Sequence, residues 1–408
     1  MSSAVDVPGV PEPLPQVLRT VATQQRLALV GGAVRDLLLH RVHNNPWRGV
    51  PDLDLVVEGR ASDLVRRLER ALPPGALVGA QEHGAFGTVE LELAIDGQAV
   101  LLDVASARAE TYPMPGENPI VQLGALADDL ARRDFSINAM ALDLASGSLL
   151  DPHGGQADLR RRQLRLLHGA SLRDDPTRLV RGARYAARLG FQLEAASLQQ
   201  TGETLASWPW GWRPGDPPGQ APPALGTRLR MELELLLERE PWRPALAALQ
   251  RWGALALLDR QLQLDRRWRQ RLWWAQRFGL PLMVALVAGA ADPLALAERL
   301  QLPHRQHRLL AQWLELRRRL TEAGSLPADA ALWCALLEAP GLSPEAVALA
   351  LAAGGLRRRP LLRWLLHWRH VRAPLSARQL IAAGWRPGPA LGAELRRLRS
   401  QRLAGERC

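Results

Sequence analysis

Asp52 and Asp54 stand one residue apart in the apolar run RGVPDLDLVV, residues 48–57. In a strand, positions i and i+2 point the same way, so both carboxylates would share one face. Held that close they repel, and a cation between them relieves the repulsion. Magnesium takes oxygen ligands, commonly one or two carboxylates plus substrate phosphates. Two such ions can activate an attacking hydroxyl and stabilise a leaving oxygen. A strand with a solvated polar face gives the same short pattern, so the neighbouring motifs decide. Asp103, in VLLDVASARAE, follows apolar strand residues and is the candidate third catalytic carboxylate. Its alternative is a strand-end aspartate bonding local backbone.

Three further motifs bear on the same chemistry. In VGGAVRD, Val30 ends a strand, Gly31 and Gly32 make the turn, and a helix starts at about Ala33. Glycines let backbone approach a ligand, and a helix N-terminus offers free N–H groups to an anion. Arg35 in the first turn is unfavourable beside the helix dipole unless a phosphate sits there too. A plain strand–helix turn with a solvated arginine is the competing reading. In LARRDFSINAMA, Arg132 and Arg133 precede an expected helix that Asp134 can cap. Beside a nucleotide they can hold a triphosphate bidentately. In RDDPTRLVRGARYAARLGF, residues 173–191, Asp175 and Pro176 read as N-cap and first helical residue, and Gly190 as the stop. Arg178, Arg181, Arg184 and Arg188 then share a face. That face meets either triphosphate or RNA backbone, or only solvent.

The elements that must position these residues fall into two regions. A flexible lead-in is expected over residues 1–18. Strands are expected at about 26–30, 53–57, 87–95 and 99–105, with helices after the Gly-Gly turn and at 61–72. The pattern is mixed α/β up to about residue 155. From about 158 the strand signals vanish, and Leu, Ala, Arg and Trp recur at helical spacing. The stretch SWPWGWRPGDPPGQAPP, 207–223, is tolerated by no regular element and reads as a surface loop. Its tryptophans can stack on bases, but loop packing is the preferred reading, as core packing is for the later tryptophans.

The chain of 408 residues carries a formal net charge of +11, which points to a polyanionic partner. It contains no lysine: all 52 basic residues are arginine. The arginines therefore have to be weighed by position rather than number. Two cysteines, Cys334 and Cys408, exclude a disulfide framework or a cysteine-built zinc site and fit a cytoplasmic protein. The N-terminus lacks a signal-peptide core, and the longest apolar run, near 279–291, is short of the ~20 residues that span a bilayer. No membrane partner is expected.

In this order and spacing, LVGGAVRDLLL, DLDLVV, DVASARAETY, RRDFSINAMALD, DPHGGQADL and DDPTRLVRGARYAARLGF resemble the class II tRNA nucleotidyltransferase / poly(A) polymerase family. They cover about residues 27–191, and GTRLRMELELLL (226–237) extends the likeness weakly. The resemblance implies an α+β fold: a polymerase β-like nucleotidyltransferase head with a small mixed sheet of five strands, then an all-α neck, body and tail. Its boundaries here would be head 19–157, neck 158–240, and a tRNA-binding body and tail 241–408. It implies template-independent CCA addition to, or repair of, tRNA 3′ ends, with ATP and CTP as substrates. Carried over by position, Asp52 and Asp54 would hold Mg2+, as two ions. Gly31, Gly32, Arg35, Arg133, Asp134, Asp175, Arg178, Arg181 and Arg184 would line the nucleotide site.

Base selection can be reasoned within that frame. Cytosine and adenine both present an amino donor beside a ring-nitrogen acceptor. Asp175 and Arg178, three apart on one helix, have the matching polarity. UTP or GTP would leave both groups unpaired. Capping the helix competes for the same Asp175 oxygens. The chain departs from the family at His40, where a glycine is common, in the long HRVHNNPWRGV connection, and at Asp174, where the family has glutamate. Narrower outputs stay open: CC only, the final A only, or poly(A). Residues 110–129 bear on that choice. An RNA-binding protein with a dead head would have lost one of the paired acids, and both are present.

Overall fold

A computed structural model of the chain describes residues 7–47, 49, 52–83, 87–322 and 327–404. The first six residues of the expected lead-in, and Cys408, lie outside them. Two compact units form: Met1–Gly211 with Glu238–Ala254, and Trp212–Leu237 with Leu255–Cys408.

The first unit begins with α1 (Leu14–Ala22), β1 (Leu27–Val30), α2 (Gly31–His43), β2 (Leu53–Val57) and α3 (Ala61–Ala71). It continues with β3 (Leu77–His83), β4 (Thr88–Ile95), β5 (Gln98–Ser106), β6 (Arg108–Thr111), β7 (Ile120–Leu123), α4 (Leu126–Ala131), β8 (Ala141–Asp143) and β9 (Leu149–Leu150). Then come α5 (Gly155–Arg161), β10 (Gln163–Leu164), α6 (Ser171–Asp174), α7 (Thr177–Leu189), β11 (Gln192–Leu193) and α8 (Ala195–Ser207). Helix α9 (Pro223–Arg239) belongs almost wholly to the second unit, and the first closes with α10 (Trp242–Arg251), which packs on α7.

The head sheet has seven strands, in the order β3-β4-β5-β2-β1-β8-β9, not the five expected. Only β2 and β5 are parallel neighbours; the other pairs are antiparallel. Alternation sends Leu53, Leu55, Leu102, Val104, Leu91 and Leu93 to one buried face. Helix α3 packs there through Leu64 and Leu68. The opposite face is apolar only at one end, where Ala28, Val30, Val56 and Ala141 meet Leu126 and Leu130 of α4. Its other end carries the carboxylates.

Several expectations need correction. Residues 14–18 are not flexible lead-in: Leu14 and Leu18 are buried on α1, an amphipathic helix seated on α3 and β1. Helix α2 starts at Gly31, two residues early, and Gly31 makes the turn out of the strand with a left-handed φ of +68°. After Asp134 there is no helix but a 3-10 turn, Ser136–Asn138, leading into β8. Strand pairing does not stop at 158 either, since β10 and β11 pair in parallel.

Gly155 of DPHGGQADL starts α5, which packs on that 3-10 turn. A Cβ there would lie 2.4 Å from the Ser136 carbonyl oxygen and 2.8 Å from Met140 Sδ. Gly155→Ala is expected to destabilise the head by about 2 kcal/mol, read as a lower denaturant midpoint. An unchanged midpoint would mean that the turn yields freely.

The second unit is helical: α11 (Arg260–Leu264), α12 (Trp268–Arg277), α13 (Leu282–Val287), α14 (Pro293–Arg299), α15 (His304–Glu322), α16 (Ala330–Leu337), α17 (Pro344–Ala353), α18 (Arg358–Leu366), α19 (Ala377–Ala382) and α20 (Pro389–Ala404). Most of its tryptophans are core, Trp268, Trp333 and Trp368 almost completely so. The loop tryptophans Trp208, Trp210 and Trp212 are buried too, and Trp210 Nε1 donates to the Arg173 carbonyl at 3.0 Å. Loop packing is thus their observed use.

Candidate active site

Strand register aligns the acids. Asp54 of β2 is paired with Asp103 of β5, and Asp103 with Glu90 of β4. Cross-strand partners project from the same face, so these three carboxylates form a row. Asp52, two residues before Asp54, is exposed. Burial pushes the Asp54 carboxyl up to about 6. The charges of Asp103 and Asp52 add to that rise, while Arg133 and Arg35 oppose it. Asp103 is also raised, first by burial and then by Glu90 and Asp52. The site therefore stores electrostatic repulsion that a cation would release. Among the described residues, no group of three or more His, Cys, Asp or Glu side chains could hold a metal ion by itself.

Gly31 brings backbone against this row. A Cβ at Gly31 would sit 3.0 Å from Arg133 Nη1 and 3.2 Å from Asp54 Oδ2, so a side chain would fill the space between them. Gly32 lies beside Arg35, its Cβ position 3.5 Å from Arg35 Nη2. Arg35 itself is buried. It donates to Asp36 at 2.8 Å and to Asn138 Oδ1 at 2.9 Å, and lies over the Tyr185 ring at 5.5 Å. Its cost near the helix N-terminus is met by these partners.

Asp129, a residue the motif reading missed, anchors both adjacent arginines. It is fully buried and accepts from Arg132 Nε at 2.9 Å and from Arg133 Nη2 at 2.8 Å. Burial alone would raise its pKa, but the guanidiniums of Arg133 and Arg132 hold it below the usual carboxylate range. The readable signal was LADDLARRD, an acid three and four residues before two arginines. Glu110 was missed as well. It accepts from Arg108 and Arg132, each at 3.0 Å, and from the Tyr112 hydroxyl at 3.1 Å.

Asp134 does not cap the 3-10 turn, whose N-cap is Phe135; it accepts from the Phe135 N–H at 2.7 Å just ahead of it. It also accepts from Asn138 at 3.0 Å and from Arg181 at 3.3 Å. Against its burial, Arg181 is the largest influence holding the Asp134 carboxyl low. Asp175 Oδ1 accepts from Thr177 N–H at 3.1 Å and from its hydroxyl at 2.7 Å, which fixes the start of α7. Arg178 is buried, and its Nη2 donates to the Arg132 carbonyl at 2.8 Å. Its Nη1 is a buried donor with no hydrogen-bond partner among the described residues. The arginine row of α7 divides in two. Arg178 and Arg181 meet the Arg132–Asp134 segment, while Arg184 and Arg188 both pair with Glu240, just before α10.

Residues 27–165 match the family described as the Poly A polymerase head domain. A CC-adding tRNA nucleotidyltransferase of Deinococcus radiodurans is 38% identical over 397 residues, 95% of this chain and 87% of that protein. An A-adding tRNA nucleotidyltransferase of Halalkalibacterium halodurans is 43% identical over 176 residues, but these span only 42% of this chain and 38% of that protein. Among solved structures, a CCA-adding enzyme in apo form matches with a TM-score of 0.69 at 24% identity, covering 98% of this chain and 93% of the other. A Thermotoga maritima CCA-adding enzyme complexed with tRNA matches with a TM-score of 0.66 at 24% identity, covering 98% and 94%. These last two show the fold. The chain belongs to the tRNA nucleotidyltransferase and poly(A) polymerase family. It is a nucleotidyltransferase, and its family uses a divalent metal. Among the described residues, no helix is long and apolar enough to cross a membrane.

Proposed function

We propose that the chain adds CMP and AMP, from CTP and ATP, to the tRNA 3′ end, releasing pyrophosphate. The observation that carries this reading is the orphaned Arg178 Nη1, on the same helix start as Asp175. A buried donor left unpaired costs about 1–3 kcal/mol, and a ligand acceptor recovers it. The ring nitrogen of cytosine or adenine is such an acceptor, and the amino group beside it donates to Asp175. Gly31 leaves room for the triphosphate next to Asp54. Asp129 aims Arg133 at the same place, and Arg181 is steered by Asp134. Asp52 and Asp54 would hold Mg2+, as two ions, which when bound neutralise the phosphates and favour the ionised 3′-hydroxyl. Asp103 is the third acid of the row. The tRNA hydroxyl attacks the α-phosphate, and the P–O bond to pyrophosphate breaks. A cytoplasmic location goes with these substrates.

A second reading is arrest after CC. It is favoured by the Deinococcus radiodurans relative, which matches over nearly the whole chain. A contact supports a role for the segment at issue, 110–129: the Gly116 N–H donates to the Asp174 carbonyl at 3.2 Å, one residue from Asp175.

Incorporation assays on tRNAs ending at the discriminator base, in C and in CC, each with CTP, ATP or both, separate the readings. Growth of the shortest tRNA to CCA with both nucleotides establishes complete addition. Arrest at CC establishes the second reading. No incorporation into any of the three overturns both.

A further inference from the structure

The half of the Pro/Trp loop that belongs to the first unit touches the chain two residues before Asp175. Trp210 is buried, and its Nε1 donates to the Arg173 carbonyl at 3.0 Å. Trp208, the C-cap of α8 with a left-handed φ of +46°, sets its ring edge-on to Trp210 at 5.1 Å. One buried indole holds the carbonyl, and a second holds the first.

That carbonyl belongs to α6, a helix of a single turn. The last carbonyls of a helix have no partner inside it. Here two of them are met from outside, by different segments. The Arg173 carbonyl accepts from Trp210, and the Asp174 carbonyl accepts from the Gly116 N–H at 3.2 Å. The turn ahead of α6 is held as well: Gln200 Nε2 of α8 donates to the His168 and Gly169 carbonyls at 3.1 and 2.8 Å. A peptide unit is planar, so a carbonyl held in place also orients the N–H and Cα that follow it. Fixing the 173–174 and 174–175 units therefore fixes the Cα of Asp175, an extended residue with φ −141° and ψ 97°. The direction of its carboxylate, which caps α7 through Thr177, is set from there.

We infer that, with Asp175 and Arg178 reading the base as proposed above, Trp210 is a positioning residue for base selection. It touches no substrate. Through the Arg173 carbonyl it sets where the Asp175 carboxylate stands. A site that hydrogen-bonds one base rejects another by leaving groups unpaired, and a carboxylate free to turn away escapes that penalty. The Pro/Trp loop thereby bears on how sharply cytosine is told from uracil.

The test is Trp210→Phe, which keeps a buried ring and removes the N–H. Incorporation of CTP and of UTP into a tRNA ending at the discriminator base gives the discrimination, as the ratio of the two kcat/KM values. That ratio should fall about tenfold in Trp210→Phe. It should fall further in Asp175→Ala, and adding Trp210→Phe to Asp175→Ala should change it no more, because the indole acts through that carboxylate. Leu68→Ala, a truncation of a buried residue on α3, is the control for lost stability. It should lower the denaturant midpoint and leave the ratio at the wild-type value. A wild-type ratio in Trp210→Phe, an equal loss in Leu68→Ala, or additive losses with Asp175→Ala overturn the inference. A wild-type ratio in Asp175→Ala, or no incorporation of CTP by the unsubstituted protein, overturns the base-reading assignment on which it rests.

Discussion

Asp54→Asn is expected to lower incorporation by about 10^3-fold or more, while making the metal-free protein more stable at pH 8. The first half follows from losing one of the two carboxylates proposed above to hold the metal. The second follows from the sign of the Asp54 shift. Its folded pKa, about 6, lies above the ordinary value of 3.8. Between these values the folded state binds more protons than the unfolded one, so this group's contribution improves as pH falls from 7 toward 4. Above pH 6 the charge is held at a cost, and asparagine removes it. Thermal melts in chelator should show Asp54→Asn above wild type at pH 8, with the gap closing below pH 5. Added Mg2+ should raise the wild-type midpoint and leave the variant unmoved. Because protons compete for the same oxygens, Mg2+ affinity should weaken as pH falls through 6. A variant that keeps its turnover would refute the metal assignment, and identical chelator melts would refute the stored repulsion.

Asp129→Ala should be the most destabilising single change in the head, at about 3–5 kcal/mol. The carboxylate is fully buried and satisfies two guanidiniums at once. Its loss leaves Arg132 with Glu110, and Arg133 with a 3.4 Å hydrogen bond to the Asn138 carbonyl and the nearby charge of Asp54. Denaturant midpoints read the stability. If the protein is assayed where it remains folded, KM for nucleotide should rise, because Arg133 no longer has a fixed direction beside Gly31. A midpoint within about 1 kcal/mol of wild type would mean that the arginines find other partners.

The motif-bearing strands and helices were legible because each matched its own period. Strand 53–57 and helix 61–72 agree with the structure almost to the residue. What failed to read was short or was decided by tertiary contact. Strand β3 ends in polar, exposed residues and shows no clean alternation. Strand β8 is three residues long and hides in a run that looks helical. For the site, residue types and spacing pointed to the carboxylate pair and to Arg178. The split of the α7 arginines did not show in the sequence, because Glu240 lies 52 residues after Arg188. Helical spacing places side chains on a face without saying what faces them.

Arg178 is steered by a main-chain carbonyl, that of Arg132. Every residue type supplies that acceptor, so no substitution at 132 can delete it. The side chain there can drift while the path of the chain cannot. On the proposed reading of Arg178 as the base-facing donor, selection on base choice acts through the backbone between Asp129 and Asp134. Alanine scanning would then report that stretch as a stability element only.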